Sequence, residues 1–299
     1  MTAPRIIVRY FDASPRGTWS RLVGVLRRSI ERHCAGWDPD IETTPPATLY
    51  SSSGRQGDVH NTRKLNAWAA AVQDAANGDR ILLLDADTLI LRSLDDVWDR
   101  PFDLAYTTRP AESRYPFNGG VVFLRVSPAT KAFVARWQEE NLTMLTDAAH
   151  HRVWSPAFGG INQSALGMLL TQKAHGLSIA RLPCLEWNCE DECWANFSPD
   201  RTRIVHYKGG LQRALFNRQP VEPSMEPLIA LWLDQERDAE ADDATPNDDV
   251  EPTPPAILPH EIDDQMIRPV DVQTPVMPPL TRRQRRRAER PRTTIGHAP

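Results

Sequence analysis

Ile6, Ile7 and Val8 begin a short apolar, β-branched run, IIVRYFD, of the kind that becomes a buried strand. Trp19, Leu22, Val23, Leu26 and Ile30 then recur at helical spacing, so the chain opens with a β-α unit. A stretch rich in Pro, Ser and Gly from Gly36 to His60 reads as loop. A second helix is marked by Leu65, Trp68, Ala69, Val72 and Ala76 and stopped by Asn77-Gly78. The segment Arg80-Ile81-Leu82-Leu83-Leu84 is apolar without alternation, which predicts a central strand covered on both faces. GGVVFLRV predicts another buried strand, Ala129 to Leu142 a helix, and Ile161 to Lys173 a further helix after the turn at Gly159-Gly160. A late strand over Arg203 to Val205 leads into HYKGG, and Leu228, Leu231 and Trp232 mark a last short helix. This alternation predicts an α/β protein with a doubly wound, Rossmann-like sheet and helices on both faces, whose ligand sits beyond the carboxyl ends of the strands.

Composition divides the chain in two. Residues 1–235 read as one globular domain. In 236–299 Asp, Glu and Pro dominate as far as Asp271 and the arginine run TRRQRRRAERPR follows, which predicts a disordered tail. The net charge of -4 gives no global reason to expect nucleic acid as partner, although Arg282 to Arg292 has the local charge to hold its phosphates. No window reaches the roughly 20 apolar residues of a membrane span, and Met1 to Phe11 lacks a secretion signal. A cytoplasmic protein is therefore expected, and the sequons at Asn141, Asn162 and Asn196 carry no special meaning. Cys34, Cys184, Cys189 and Cys193 read as reduced and structural, because PCLEWNCEDECW lacks the paired spacing of a zinc site and the compartment argues against disulfides.

The candidate chemistry starts at the end of the central strand, at Asp85-Ala86-Asp87. Side chains two apart in extended backbone point to the same side, so both carboxylates can face one divalent cation. Asp-x-Asp is common in loops and helix caps, and its place after a buried strand is what favours a binding role. His206, at the end of the late strand, is a candidate third ligand. An imidazole in the set suits Mn²⁺ better than Mg²⁺. Gly209 and Gly210 allow a close approach of backbone to an anion, and Lys208 or Arg213 would neutralise its charge.

The order of these motifs resembles the GT-A class of nucleotide-diphosphosugar transferases, and glycosyltransferase family 8 in particular. Its carriers are LLLDADTLIL, FNGGVVFLR, NQSAL, EWN and IVHYKG, spread over Ile6 to Phe216. The resemblance implies metal ligands at Asp85, Asp87 and His206, and contacts to sugar or acceptor from Asn118, Gly119 and Gln163. It implies an approach of Arg63 or Lys64 to the donor, and a donor site completed by Tyr10, Ala86, Gly120, Asn162, Lys208, Gly209 and Arg213. The implied reaction is transfer of a hexose from a UDP-sugar, with Mn²⁺ or Mg²⁺, to an unidentified acceptor: a glycan, a protein or a hydroxylated DNA base. A bacterial or phage-infected cell is the implied setting.

Two motifs depart from the family pattern. Asn162 and Ser164 stand where it has aspartates, and Gln212 stands where it has a lysine, so the diphosphate clamp falls to Lys208 or Arg213, of which Arg213 offers bidentate contact. Retention of configuration is implied. An inverting reaction would instead need a base from Glu190, Asp191 or Glu192, which otherwise read as an exposed acidic loop. Trp187, Trp194 and Phe197 are either a stacking platform or core. The rival readings are a haloacid-dehalogenase-type phosphatase with Asp85 as nucleophile, and a catalytically silent nucleotide-sugar binding module.

Overall fold

The computed structural model describes residues 2–11, 17–44, 49–173, 176–216 and 219–243. The opening β-α unit is present as β1 (Arg5–Tyr10) and α1 (Thr18–His33). The next element departs from expectation. Asp38–Thr43, inside the segment read as loop, forms β2, paired in parallel with β1. It is an edge strand with no fully buried residue, so it carries no apolar signal to betray it. Helix α2 (Gln56–Asp74) starts earlier than its apolar residues show and leads into β3 (Arg80–Leu84), the predicted central strand.

Beyond β3 lie β4 (Thr88–Ile90), β5 (Leu104–Thr108) and β6 (Phe117–Arg125), then α3 (Pro128–Thr146), α4 (Ala148–Phe158) and α5 (Ile161–Gln172). The chain continues through β7 (Ile179–Pro183), α6 (Cys184–Trp187), β8 (Ile204–His206), α7 (Gly209–Leu215) and α8 (Glu226–Asp243). The main sheet has six strands in the order β2-β1-β3-β6-β5-β7, and β4 and β8 form a separate pair. It is mixed: β1 runs parallel to β2 and β3, while β6 is antiparallel to both β3 and β5.

The unbroken apolar character of β3 follows from where its side chains go. Ile81 and Leu83 pack with α2, α3 and α5 on one face, whereas Leu82 and Leu84 pack with α1 and Trp98 on the other. Both faces are thus covered by helices. A third apolar cluster lies beside the β4-β8 pair and takes in Leu22 of α1, Leu211 of α7 and Trp232 of α8. The Tyr207 hydroxyl donates to the carbonyl of Leu228 at 2.7 Å, and Arg21 pairs with Glu236 at 2.8 Å, which seats α8 beside α1.

Helix α8 runs past Gln235 to Asp243. The acidic, Pro-rich segment beyond it and the arginine run Arg282 to Arg292 lie outside the described residues. Among the described residues no helix is long and apolar enough to cross a membrane.

Candidate active site

The site forms where β3 ends against a bulge in β6. Between β5 and β6 the register passes from Tyr106 opposite Val122 to Thr107 opposite Asn118, so Gly119, Gly120 and Val121 leave that ladder. The carbonyl of Gly120 accepts the Asp85 N–H at 2.9 Å, which carries the β3-β6 pairing one step past the strand. The short β4-β8 pair does the rest. It sets Thr88 opposite His206, and the Tyr207 N–H donates to the Asp87 carbonyl at 2.6 Å. Residues more than a hundred positions apart in sequence thereby meet.

One ligand atom each from Asp85, Asp87 and His206 lies within 4.8 Å of the others. His206 Nε2 is 3.1 Å from Asp87 Oδ1 and 3.7 Å from Asp85 Oδ2. Gly120 supplies the room: a Cβ there would stand 2.6 Å from His206 Cε1, 2.8 Å from Asp85 Oδ2 and 2.9 Å from Asn118 Oδ1. The tautomer of His206 follows from Asn188. The Asn188 amide nitrogen donates to Thr107 Oγ1 at 2.8 Å and Asn118 Oδ1 at 3.1 Å, so its oxygen is the acceptor for His206 Nδ1–H at 3.0 Å. The remaining ring nitrogen faces two carboxylates and carries either a proton or a coordinated cation. Burial opposes the charge of Asp87, but the His206 ring and the Lys64 ammonium hold its carboxyl below the usual carboxylate range. Lys64 pairs directly with Asp85 Oδ1.

These residues line a cleft of 540 Å³, a volume suited to a nucleotide-sized ligand. One wall holds a charge cluster that the sequence reading passed over in part. Arg109, at the end of β5, lies 2.6 Å from Glu190 and 3.0 Å from Glu192, and Lys208 Nζ lies 2.6 Å from Glu190 and 3.4 Å from Asp191. Glu190 is fully buried, so the loop read as exposed has its first acid inside the protein. Burial and a hydrogen bond with Asp191 push the Glu190 carboxyl up, against the pull of Lys208 and Arg109. Asp191 goes the other way: despite partial burial, the bond from Glu190 together with Lys208 and Arg109 holds it down to about 2.

The opposite wall is built on the N-terminus of α5. Gln163 Oε1 accepts the Gly119 N–H at 3.2 Å, and its amide nitrogen donates to the Phe158 carbonyl at 2.8 Å. Asn162 accepts from Asn141 at 2.5 Å and donates to the Asn61 carbonyl at 2.9 Å, which occupies both ends of its amide. Lys64, Asp85, Asp87, Asn118, Gly119, Gly120, Asn162, Gln163, Asp191, His206 and Lys208 all line the cleft.

Tyr10, Arg63, Ala86, Gly209 and Arg213 are not among its lining residues. Arg63 donates to the carbonyl of Thr44 at 2.9 Å. Ala86 is buried in the core between its two aspartates, and Arg213 Nε donates to Gln219 Oε1 at 2.9 Å. Of the two proposed clamps, Lys208 is the one at the cleft.

Arg109, Asn61, Arg114 and Tyr115 line the cleft without having been singled out, and Asn188 orients His206 from behind. Only the EWN motif flagged Asn188. Trp187 and Trp194 are core side chains rather than a platform. All four cysteines are buried and free. Among the described residues Asp85, Asp87 and His206 form the one group of at least three His, Cys, Asp or Glu residues arranged to hold a metal, so the cysteine-rich segment supplies no such group.

Residues 70–210, the segment that contains the three clustered ligands and the charge cluster around Glu190, match the family described as nucleotide-diphospho-sugar transferase. A search of curated protein sequences gives no match. Among solved structures, a glycosyltransferase involved in the glycosylation of the major capsid of PBCV-1 aligns over 80% of this chain and 99% of its own, with 12% identity and a TM-score of 0.52. The glycosyltransferase GlyE of Streptococcus pneumoniae TIGR4 aligns over 81% of this chain and 64% of its own, with 14% identity and a TM-score of 0.52. At such identities the structural likeness speaks for the fold, and the family match speaks for the type of chemistry. The chain carries the GT-A glycosyltransferase fold, and its residues 70–210 match the nucleotide-diphospho-sugar transferases.

Proposed function

We propose that the protein transfers a hexose from a UDP-sugar to an acceptor hydroxyl with retention of configuration, using a divalent cation, Mn²⁺ by preference, held by Asp85, Asp87 and His206. The observation that carries this reading is the His206 ring. Its Nδ1–H is committed to Asn188, and its Nε2 faces Asp87 and Asp85. Two carboxylate oxygens and an oriented imidazole nitrogen fit a borderline cation such as Mn²⁺, and the absent side chain of Gly120 leaves space for it. Bound there, such a cation supplies Lewis-acid neutralisation of a diphosphate leaving group.

The chain's own residues do the remaining work. Lys208 at one wall and Lys64 at the floor bring positive charge to the place where the diphosphate's negative charge develops. Asn118, Gly119 and Gln163 offer amide and backbone groups for sugar hydroxyls. The bond between the anomeric carbon and the diphosphate breaks, and the acceptor oxygen bonds that carbon on the face just vacated. The hydroxyl proton leaves on the diphosphate, so no protein base takes part. Of the candidate bases for an inverting route, Asp191 is held down to about 2 and takes up a proton poorly at neutral pH, and Glu190 is fully buried against Arg109 and Lys208. Free cysteines fit a reducing cytoplasm, where nucleotide-sugars are at hand.

A thermal-shift screen of nucleotide-sugars with and without Mn²⁺ tests the reading. UDP-sugars raise the melting temperature only when Mn²⁺ is present. Absence of any metal-dependent shift across UDP, GDP, ADP and CMP donors defeats it.

A further inference from the structure

A second groove, of 1020 Å³, opens beside the donor cleft and shares with it Asn61, Arg114, Tyr115 and Gly160. Its charge is one-sided. Arg55, Arg114 and Arg152 line it against a single acidic residue, Asp58, which already accepts from Ser53 Oγ at 2.7 Å. Arg114 lies 5.0 Å from the centre of the Tyr115 ring. None of the three arginines makes a salt bridge among the described residues, although Arg152 acts electrostatically on Asp147. His151 adds a ring nitrogen, Nε2, that is buried without a hydrogen-bond partner.

The backbone points the same way. Two helices of ordinary length present uncapped N-termini here: α2, whose N-cap Arg55 makes no side-chain bond, and α5, whose N-cap is Gly160. Gly57 and Gly160 have nothing within 4 Å of a would-be Cβ, so neither position is crowded on that side. The neighbouring α4 differs, because Asp147 already accepts from Ala149 and His150 at its start. Helix starts without side-chain caps, guanidinium groups outside any salt bridge among the described residues and an imidazole nitrogen without a hydrogen-bond partner form a surface suited to oxyanions.

We propose that this groove holds the acceptor, and that the acceptor is an anionic glycan, carrying a phosphate or carboxylate near the hydroxyl that receives the sugar. The proposal rests on the transferase reading above, which assigns the adjoining cleft to the donor. Tyr115, shared by both grooves, offers a ring face to the acceptor sugar at the junction.

Fluorescence anisotropy on the full chain tests this, with UDP and Mn²⁺ saturating so that the donor cleft is filled. The probes are labelled glucose oligomers of one length, ending in a phosphate, a uronate or a neutral sugar. The variant is Arg55→Ala/Arg152→Ala, two exposed residues that line only the second groove. Anionic oligomers are expected to bind at least roughly tenfold more tightly than the neutral one, and the variant to lose about tenfold or more of that affinity, since each guanidinium contact to an anion is worth that order. Arg55→Lys/Arg152→Lys recovers part of it. The phosphate and uronate arms identify which anion is preferred. Equal affinity for neutral and anionic oligomers, undiminished binding by the alanine variant, or tighter binding of a single-stranded oligonucleotide than of either glycan overturns the proposal. A UDP titration in the same buffer reads the donor assignment by itself, so failure there is separate from failure of the groove.

Discussion

Gly120→Ala is the smallest change that should disable the candidate metal site without altering any ligand. Its new methyl carbon would stand 2.6 Å from His206 Cε1, 2.8 Å from Asp85 Oδ2 and 2.9 Å from Asn118 Oδ1. Carbon atoms rest at about 3.5–4.0 Å from each other, so the His206 ring must retreat by roughly 1 Å. It has nowhere easy to go. Nδ1 is bound to Asn188, Nε2 faces Asp87, and the ring is 2% exposed. Overpacking of this kind costs about 1–3 kcal/mol of stability, and for a domain of this size about 2–4 °C of melting temperature per kcal/mol.

Displacing a ligand by about that distance is expected to lower Mn²⁺ affinity by roughly 10–100-fold, the scale seen when the support of a metal ligand is removed. The assay is titration of free Mn²⁺ by its electron paramagnetic resonance signal, which disappears on binding. Gly119→Ala is the matched control, since its Cβ meets only Gln163 Cγ at 3.5 Å, an ordinary contact. A Gly120→Ala protein that is folded and binds Mn²⁺ as tightly as the Gly119→Ala protein refutes the packing argument.

Three further outcomes are expected. Asn188→Ala should reduce Mn²⁺ affinity by about 10-fold or more while all three ligands remain, because His206 loses the acceptor that fixes its tautomer; an unchanged Mn²⁺ titration would refute that role. Asp191 has a folded pKa of about 2 against an ordinary value of 3.8, so the stability it adds is present above pH 4 and fades as pH falls toward 2. The difference in urea midpoint between wild type and Asp191→Asn should therefore be larger at pH 6 than at pH 2, and equality at the two pH values would contradict it. Burial pushes the thiols of Cys34 and Cys184 up to about 12 and that of Cys193 up to about 11, so in the native protein at pH 8 Ellman's reagent should find these thiols silent, and should find all four cysteines in guanidinium.

What could be read in the sequence was what leaves a local mark. β3 was visible because burial on both faces demands an unbroken apolar run, and Asp85 and Asp87 inherited significance from it. β2 was not, because an edge strand made of Asp38-Pro39-Asp40-Ile41-Glu42-Thr43 has no covered face to advertise. The contact of His206 with Asp87 depends on the β4-β8 pairing, and only the motif order pointed to it. Arg109 lay beyond reach altogether: a lone arginine at a strand end looks solvated until Glu190, 81 residues later, is folded onto it. The same holds for Glu190, whose acidic neighbours made it look exposed. Lys208 and Arg213 look alike as candidate clamps in the sequence, and only the fold separates them: Arg213 bonds Gln219 while Lys208 lines the cleft.

Isothermal titration of UDP, with and without Mn²⁺, in wild type and Asp87→Asn tests the central claim most directly. The account predicts that UDP binds the wild type tightly only when Mn²⁺ is present, and that a folded Asp87→Asn protein, one of whose two former carboxylate oxygens is now an amide nitrogen, loses most of the metal-dependent affinity. Equal UDP affinity with and without Mn²⁺, or an Asp87→Asn protein that keeps the full metal-dependent gain, would contradict it.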